Sequence, residues 1–301
     1  MEISVVIPTF ERSAKLARCL DSLFAVKFPE GRHEILVTDD GSRDDTQAVL
    51  ERARDESPVP MRCFRQENSG PAAARNLAAL QADGERLLFL DDDVRASEEL
   101  LSWHWRRGQA EGDEILAVLG TIEWCPDLEV TSFMHWLVAG GPQFNYGLIE
   151  DPEDVGFELF YTANVSLPRQ VFVEAGGFDE GFPAAAGEDT ELSYRLRDRL
   201  RLIYEPKALV WHDHRIERRP YRKRMVRVGQ AAAWIARKHP ELAPAIEKRV
   251  RGRGAGGLKS GLVSAALCFE VILPNRMRRK LYRSEVKEAF ARGYRESGHR
   301  R

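Results

Sequence analysis

The sequence predicts an α/β fold in which helices flank a mainly parallel sheet, followed by a basic, mostly helical C-terminal extension. Over the first ninety residues, short β-branched runs alternate with amphipathic segments, which is typical of a parallel sheet with crossover helices. The composition, 43% hydrophobic and 31% charged over 301 residues, is that of a globular protein. The charge changes sign along the chain: residues 1–214 carry 21 Lys and Arg against 40 Asp and Glu, and residues 215–301 carry 24 against 7. We therefore predict two domains, residues 1–214 and residues 215–301.

Periodicity and caps indicate the elements of the first ninety residues. Apolar residues recur at helical spacing after Ser13, and Asp44, Asp45 and Thr46 are typical of a helix N-terminus. Short runs rich in Val, Ile, Leu and Phe indicate strands. The predicted elements are a strand at residues 3–7, a helix from about residue 13, a strand at 34–38, a helix from about residue 44, a strand at 61–64, a helix at 71–81 and a strand at 87–90.

The pattern continues less regularly after residue 97. Residues 121–158 combine aromatic, Gly-Gly-Pro and acidic stretches, and we interpret them as a long, partly ordered excursion that forms a wall or lid. The other predicted elements are a helix to about residue 109, a strand at 115–119, a helix at 169–175, a helix after Glu188, and strands at 202–204 and 208–212.

The N-terminus and the cysteines indicate the cellular compartment. The chain enters a strand-like run at once, without the basic and apolar stretches of a secretory signal, so we expect a cytoplasmic protein. The four cysteines are far apart and have no C-x-x-C spacing, which disfavours a zinc site or a disulfide framework. We interpret Cys19, Cys63, Cys125 and Cys268 as reduced thiols.

Three consecutive aspartates, Asp91, Asp92 and Asp93, follow the predicted strand at 87–90. Open α/β sheets bind ligands at the carboxyl ends of their strands. Carboxylates this close repel one another unless a cation or several donors compensate them, and Mg²⁺ or Mn²⁺ prefers oxygen ligands. Strand alternation would place Asp91 and Asp93 on one side and Asp92 on the other. The alternatives are a metal-binding Asp-x-Asp pair and a solvated acidic turn.

A second acidic pair, Asp39 and Asp40, follows the predicted strand at 34–38. In a parallel sheet both strand ends lie at the same edge, so one pair can bind a base or ribose and the other a metal-bound diphosphate. Asp-Gly is also a common turn sequence, which leaves a purely structural role open.

Six short motifs occur in order along residues 2–214. They are Val5-Val6-Ile7-Pro8-Thr9-Phe10, Asp39-Asp40-Gly41-Ser42, Asn68-Ser69-Gly70-Pro71-Ala72-Ala73-Ala74-Arg75-Asn76, Leu90-Asp91-Asp92-Asp93, Gly176-Gly177-Phe178-Asp179-Glu180 and Gly187-Glu188-Asp189. Each motif alone is weak, but the set in this order and approximate spacing resembles the family 2 inverting glycosyltransferases, which have the GT-A fold. The basic extension lies outside the resemblance.

The resemblance implies metal-dependent transfer of a sugar from a nucleotide-activated donor to a hydroxyl of a glycan or lipid-linked acceptor. The implied donor is a UDP-, GDP- or dTDP-sugar, the cofactor is Mg²⁺ or Mn²⁺, and cell-envelope polysaccharide is the expected product class. Inverting transfer needs a carboxylate that takes the proton of the acceptor hydroxyl, and it needs the charge of the leaving diphosphate neutralised.

The resemblance also implies roles for single residues. Asp189 would be the catalytic base with Glu188 as a second candidate, unless these carboxylates only favour a helix dipole. Asp91 and Asp93 would form the metal-binding motif, with Asp93 as the direct ligand. Glu11 departs from the family, in which Asn is frequent at this position. The donor nucleotide would be bound by Pro8, Thr9, Phe10, Asp39, Asp40, Arg75, Asp91 and Asp92.

Some candidates have equally good structural interpretations. His212 could complete the metal shell, as could His214, although a histidine after a strand often serves packing alone. Asn164 resembles a residue of the acceptor or sugar pocket, and a plain turn asparagine is the alternative. Trp124 and Trp136 could stack on a sugar, but packing is the better interpretation.

The basic extension has three candidate partners: anionic lipid headgroups, nucleic acid, and the acidic domain itself. We favour an anionic membrane surface and consider nucleic acid unsuited. Residues 258–273 are largely apolar but too short to span a bilayer, and basic residues follow them, which suits a membrane interface. The alternative is that these apolar residues pack on the core.

Two other functions compete with glycosyl transfer. A sugar nucleotidyltransferase would need a Gly-rich, lysine-bearing phosphate loop after the first strand, and Pro8-Thr9-Phe10-Glu11-Arg12 stands there instead. A non-catalytic membrane- or nucleic-acid-binding protein would bind through the extension, with strong salt dependence and no need for the acidic motifs.

Overall fold

The structure is a computed structural model that describes residues 1–29, 31–109, 115–183, 185–251 and 274–298. The chain divides into two compact units. The second unit includes two segments from the range that the sequence assigns to the first domain, while the functional division at residue 214 stays a prediction. The first unit consists of Met1–Glu129, Tyr146–Glu180 and Glu188–Arg215, and the second of Val130–Asn145, Gly181–Gly187 and Ile216–Arg301.

The first unit is built on a single sheet, which has eight strands in the described part of the chain. They are β1 (Ile3–Thr9), β2 (His33–Asp39), β3 (Met61–Arg65), β4 (Arg86–Leu90), β5 (Val94–Ala96), β6 (Leu116–Trp124), β7 (Asn164–Pro168) and β8 (Arg201–His212). The order across the sheet is β3-β2-β1-β4-β7-β6-β8-β5. The strands β3, β2, β1 and β4 are parallel, β6 and β8 are parallel, and β7 runs antiparallel between β4 and β6.

The helices of the described residues follow the sheet in chain order. They are α1 (Ser13–Phe24), α2 (Thr46–Glu56), α3 (Pro71–Leu80), α4 (Leu100–Gly108), α5 (Ser132–Val138), α6 (Arg169–Glu174), α7 (Glu188–Leu196), α8 (Arg218–Lys238), α9 (Ala243–Arg251) and α10 (Asn275–Gly298). The alternation of strand and helix up to β4 confirms the predicted α/β class. Both β1 and β2 are buried along their whole length, as expected for strands covered on both faces.

Two features of the sheet differ from the sequence-based expectation. The two strands expected at 202–204 and 208–212 are one strand, β8, whose pairing with β6 shifts register between Gly120 and Thr121. An irregularity of this kind lets a strand continue past residues such as Pro206 that interrupt the pattern. The short strand β5, which directly follows the three aspartates, was not expected because three residues show no periodicity.

The core of the first unit lies against β4, where three phenylalanines pack together. The ring of Phe89 is 5.3 Å from that of Phe172 and 5.1 Å from that of Phe178, measured between centroids. Phe172 lies in the short helix α6 and Phe178 follows the Gly176-Gly177 turn, so this contact ties the Gly-Gly-Phe motif to the strand that delivers the aspartates.

The second unit packs α5 against the long helices α8 and α10. Phe133 and Trp136 of α5 contact Tyr282 of α10, at 5.1 and 5.5 Å between ring centroids, and Phe133 also contacts Tyr221 of α8. Trp136 is therefore a packing residue, as we interpreted it.

The helices α8 and α10 run side by side in the second unit, and small residues allow their close approach. A Cβ atom at Gly229 would overlap the carbonyl oxygen of Phe290, and one at Gly293 would overlap that of Val226. No helix in the described ranges has the length and apolar character needed to cross a membrane. The apolar segment at 258–273, which we expected at a membrane interface, lies outside the described residues.

Candidate active site

The sheet order brings two acidic groups to one edge. The strand β1 lies between β2 and β4 and is parallel to both. Asp39 is the last residue of β2, and Asp91 directly follows β4. The two groups therefore end up at the same carboxyl edge, as the strand and helix pattern predicts.

The carboxylate of Asp39 is fully buried and bound by protein groups. One oxygen accepts a hydrogen bond from the backbone N–H of Ser42 at 2.8 Å. The other accepts from Gln47 Nε2 at 2.5 Å and pairs with the guanidinium of Arg65. These contacts hold the Asp-Asp-Gly-Ser turn against β3, and a contact of Asp39 with a nucleobase stays a prediction.

Asp40 connects the same turn to the start of α3. Its Oδ1 accepts from Gln66 Nε2 and from the backbone N–H of Ser69, both at 2.8 Å, and its Oδ2 accepts from the backbone N–H of Gly70 at 2.9 Å. Asp40 thus fixes the loop from which α3 begins, and its nucleotide-binding role also stays a prediction.

The three consecutive aspartates lie in a turn after β4 and not on the strand. Asp92 and Asp93 are buried and share one guanidinium nitrogen: Arg12 Nη1 is 3.0 Å from Asp92 Oδ1 and 2.8 Å from Asp93 Oδ2. Asp91 pairs instead with Arg75, whose Nη2 is 2.7 Å from Asp91 Oδ1. Asp93 thus shares its cation with Asp92 and not with Asp91, because the two-residue alternation of side chains ends with the strand. A metal site formed by Asp91 and Asp93 stays a prediction.

The motif at the end of β1 contacts the aspartates through Thr9. Its hydroxyl donates to Asp92 Oδ2 at 2.7 Å. Burial raises the pKa of Asp92 to about 6, although the charge of Arg12 opposes the shift. Pro8 is buried, whereas Phe10 is 42% exposed and available for stacking on a ligand.

Sequence reasoning missed Arg12. The available signal was its position as a basic residue directly after the β1 motif, where it precedes α1 as the N-cap residue. Glu11 before it has a φ of 52°, in the left-handed region that Asn adopts more readily than Glu. The backbone therefore gives a physical reason for the frequent Asn at this position.

Two histidines at the end of β8 approach Asp93. His212 Nε2 is 3.7 Å from Asp93 Oδ1, and His214 Nδ1 is 4.0 Å from Asp93 Oδ2. Burial acts to raise the pKa of Asp93, but the charges of His212 and Arg12 outweigh it, and the pKa is lowered. Burial and the charge of Lys15, whose Nζ is 3.0 Å from His214 Nδ1, lower the pKa of His214 to about 4. His214 is therefore neutral near pH 7.

Arg75 joins two of the predicted motifs. Its side chain is buried on α3, and its Nη1 is 3.2 Å from Glu188 Oε1 while its Nη2 binds Asp91. The guanidinium also lies 5.9 Å from the centroid of the Phe178 ring. A single cation thus connects the aspartate cluster to the first turn of α7.

Glu188 and Asp189, which are adjacent in α7, have different surroundings. Glu188 is buried, and burial together with the charge of Asp189 raises the pKa of Glu188 to about 7, against the opposing charge of Arg75. Glu188 Oε2 accepts no hydrogen bond from the described residues. Asp189 is half-buried, and its Oδ1 accepts from the backbone N–H of Thr190 at 2.7 Å.

Asn164 is completely buried at the start of β7. Its Nδ2 donates to the carbonyl oxygens of Thr121 at 2.9 Å and Ala208 at 2.8 Å, and its Oδ1 lies 2.8 Å from His104 Nε2. His104 is also fully buried, and burial lowers its pKa to about 3. These contacts link β7 to β6, β8 and α4, which gives Asn164 a structural role. Its role in a sugar pocket stays a prediction.

Residues 4–147 match the family model described as glycosyl transferase family 2. This segment of the chain belongs to glycosyltransferase family 2. The matched range contains the β1 motif, Asp39 and Asp40, the three consecutive aspartates, and Arg75.

Curated relatives extend the similarity beyond the family 2 model. The chain is 31% identical over 280 residues to the validoxylamine A glucosyltransferase of Streptomyces hygroscopicus subsp. limoneus, an alignment that covers 85% of this chain and 60% of that protein. The chain therefore spans less than two thirds of the length of this relative.

Solved structures share the GT-A fold of family 2. A mannosyltransferase from Pyrobaculum calidifontis, in complex with GDP-Man and Mn²⁺, has a TM-score of 0.64 at 17% identity and covers 99% of this chain and 87% of its own. Residues 1–349 of TarS from S. aureus, in complex with UDP, have a TM-score of 0.56 at 16% identity and cover 100% and 92%. At these identities the likeness establishes the fold.

The residues of this family 2 site suit a divalent cation between Asp93 and His212. Asp93 Oδ1 is buried and accepts no hydrogen bond from the described residues, and the imidazole nitrogen is 3.7 Å away. Carboxylate oxygen and imidazole nitrogen are suitable ligands for Mn²⁺. Within the described ranges, no group of three or more His, Cys, Asp or Glu side chains could hold an ion. Asp93 and His212 are thus the two candidate ligands among the described residues.

Proposed function

We propose that the chain transfers a sugar, with inversion, from a nucleotide-activated donor to a hydroxyl of a glycan or lipid-linked acceptor, with the help of a divalent cation. The observation that carries the proposal is the pairing of Arg75 with both Asp91 and Glu188. This pairing joins an acidic cluster suited to a metal-bound diphosphate to a carboxylate pair suited to proton transfer. The pairing thus puts the two parts of the reaction within one connected group of side chains.

The donor half of the site consists of Asp93, His212 and Arg75. Asp93 and His212 would hold Mg²⁺ or Mn²⁺, which supplies Lewis-acid neutralisation of the diphosphate oxygens. Arg75 is held by its two carboxylates and orients the cluster. The exposed ring of Phe10 is our candidate surface for a nucleobase. Asp39 and Asp40 are the candidate acceptors, since the backbone N–H of Asp40 donates to the carbonyl oxygen of Thr9, the residue before Phe10, at 2.9 Å.

Asp189 is the better candidate for the catalytic base. A base must be ionised, accessible and within reach of the acceptor hydroxyl. Asp189 is half-buried, whereas Glu188 is buried, pairs with Arg75 and has a pKa raised to about 7. We assign to Asp189 the removal of the hydroxyl proton and to Glu188 the positioning of Arg75 and of the first turn of α7.

In the proposed step, the acceptor oxygen forms a bond to the anomeric carbon while the bond from that carbon to the diphosphate oxygen breaks. The hydroxyl proton passes to a carboxylate oxygen of Asp189. Because the nucleophile enters opposite the leaving group in one displacement, the anomeric configuration inverts.

The experiment that tests the donor site is thermal unfolding with UDP, GDP, dTDP and CDP, each with and without Mn²⁺. A ligand at a hundredfold excess over its dissociation constant stabilises the folded state by about 2.7 kcal/mol. We expect one nucleotide to stabilise the protein, with Mn²⁺ required, and Asp93→Asn to abolish the effect. Asp83→Asn is the matched control, because Asp83 is exposed and pairs with Arg62 on the protein surface.

The catalytic assignment is tested by turnover of the donor identified in this way. Asp189→Asn should retain metal-dependent nucleotide binding and lose about 10²- to 10⁴-fold in kcat, the usual contribution of a general base. Stabilisation by no nucleotide, or full turnover by Asp189→Asn, would contradict the proposal.

Curated relatives of the chain differ in the substrates or products that their names give. Besides the validoxylamine A enzyme, they include poly(ribitol-phosphate) transferases and an O-antigen biosynthesis protein. We therefore propose only the acceptor class, with a cell-envelope glycan as the first group to screen.

We also propose that the second unit binds an anionic membrane surface, because two of its helices carry stripes of exposed cations. Within the described residues, these cations form no ion pair. Met277, an exposed apolar side chain, lies beside the exposed cations of α10. Cations combined with apolar groups are typical of helices that lie in a membrane interface. The stripes are Arg219, Lys223 and Arg227 on α8, and Arg276, Arg279, Lys280 and Arg283 on α10.

Vesicle sedimentation tests this partner. The protein should bind vesicles that contain phosphatidylglycerol and not those of phosphatidylcholine alone, and a triple reversal of Arg279, Lys280 and Arg283 to Glu should abolish binding. Reversal of Arg237, Lys238 and Arg251 changes the charge equally and should have a smaller effect. Binding to RNA at the same salt concentration, without binding to vesicles, would overturn the assignment.

A further inference from the structure

Arg12 is the cation that the buried aspartates share. One nitrogen, Nη1, is within 3.0 Å of Asp92 and 2.8 Å of Asp93. Among the described residues, Arg12 makes its side-chain hydrogen bonds to these two carboxylates alone. The pair is asymmetric in exposure: each carboxylate side chain is 5% exposed, and the Arg12 side chain is 43% exposed.

This asymmetry means that the cation can leave while the carboxylates stay. Asp92 is also held by Thr9, and both aspartates lie in the turn between β4 and β5. Arg12 lies before the first turn of α1, and rotation of its side chain toward solvent breaks no backbone hydrogen bond of that helix.

Arg12 and a divalent cation would compete for Asp93. Its Oδ2 is bound to Arg12, while its Oδ1 faces His212 at 3.7 Å. A divalent cation bound by Asp93 would lie within a few ångströms of the guanidinium, and like charges at that separation repel. A nucleoside diphosphate brings new negative charge to the same edge, and guanidinium groups bind phosphate oxygens in pairs.

We propose that Arg12 is an exchangeable counter-cation: it neutralises Asp92 and Asp93 in the free protein, and it moves to the diphosphate of the donor when a divalent cation binds Asp93. The inference rests on the proposed function and adds a donor-binding residue to it. As a consequence, the metal and the nucleotide should each strengthen the binding of the other. The metal takes Asp93 from Arg12, and the diphosphate of the nucleotide then becomes the new partner of Arg12.

The test is the affinity for Mn²⁺, measured by electron paramagnetic resonance of the free ion, with and without the nucleoside diphosphate that stabilises the protein. Without nucleotide, Arg12→Gln should bind Mn²⁺ about tenfold more tightly than the wild type, because a competing charge is gone. With Mn²⁺ present, the same variant should bind the nucleotide about tenfold more weakly. Arg12→Lys keeps the charge, so its affinity for Mn²⁺ should stay near that of the wild type.

Arg18→Gln is the matched control. Arg18 lies on α1, which begins directly after Arg12. Its side chain is 44% exposed, and it pairs with a mostly buried carboxylate, Asp213, at 2.5 Å. This variant should leave the affinities for Mn²⁺ and nucleotide unchanged. Circular dichroism melts without ligand identify any variant that fails to fold.

The outcomes separate this inference from the proposed function. Suppose that Asp93→Asn loses Mn²⁺ binding but Arg12→Gln binds Mn²⁺ with unchanged or weaker affinity. This result would overturn the role of Arg12 and would still support the proposed donor site. Retention of Mn²⁺ by Asp93→Asn, or no Mn²⁺ binding by the wild type with any nucleotide, overturns both.

Discussion

Arg75 and Glu188, 113 residues apart in the chain, form a buried ion pair with 3.2 Å between Arg75 Nη1 and Glu188 Oε1. Glu188 nevertheless has a pKa raised to about 7, because burial and the charge of Asp189 outweigh the attraction of Arg75. Burial and attraction to Arg75 thus have opposite effects on the ionisation of Glu188. We therefore expect the stability of the protein to depend on pH through this residue.

We predict that Glu188→Gln flattens the fall of stability between pH 4.5 and 7. The folded carboxyl has a pKa above its ordinary value of 4.5, so in this range the folded protein binds more protons than the unfolded chain and loses stability as pH rises. The contribution is about 2–3 kcal/mol. Urea unfolding at a series of pH values measures it.

The control for this prediction is Glu56→Gln, at an exposed residue that ends α2. It should leave the pH profile of the wild type unchanged. A Glu188→Gln protein with the same slope as the wild type would show that Glu188 titrates normally.

We predict that Glu11→Gly stabilises the protein by up to about 1 kcal/mol, and that Glu11→Asn does so by less. The φ of 52° at this residue is unfavourable for a residue with a long side chain. The backbone N–H of Glu11 donates to Ser42 Oγ at 2.8 Å, and both substitutions keep this bond. Urea unfolding measures the change, and Glu11→Ala, which does not favour a positive φ, should show no comparable gain.

We predict that Asn164→Ala lowers the free energy of unfolding by about 3–5 kcal/mol, because two buried carbonyl oxygens and His104 Nε2 lose the hydrogen bonds that Asn164 makes to them. Denaturant unfolding measures the loss. Asn68→Ala, at an exposed residue, should stay within about 0.5 kcal/mol of the wild type. An Asn164→Ala protein of normal stability with an altered KM would instead favour the sugar-pocket role.

We predict that Gly293→Ala disrupts the pairing of α8 and α10. The added methyl group would overlap the carbonyl oxygen of Val226, so the helices must separate. Overpacking of this kind costs about 1–3 kcal/mol or more. Limited proteolysis should cut α10 faster than in the wild type, whereas Ser284→Ala, in the same helix, should leave the rate unchanged.

Local pattern was enough to predict the α/β class and the order of strands and helices up to β4. Apolar runs indicate strands that are buried on both faces of a sheet, and the amphipathic segments between them indicate the crossover helices that cover those faces. That pattern alone places Asp39 and Asp91 at one edge of the sheet. The motifs added Arg75, Glu188 and Asp189 as candidates, without their partners.

The tertiary structure decided which of those charges meet. Arg12 lies between Asp92 and Asp93, Arg75 selects Asp91 and Glu188, and Asn164 is sealed between strands. No local rule predicts these pairings, because each joins residues that only the order of the strands brings together. The sequence by itself determined where polar groups leave the sheet, whereas their partners, and so their ionisation, depended on how distant segments pack around a buried site.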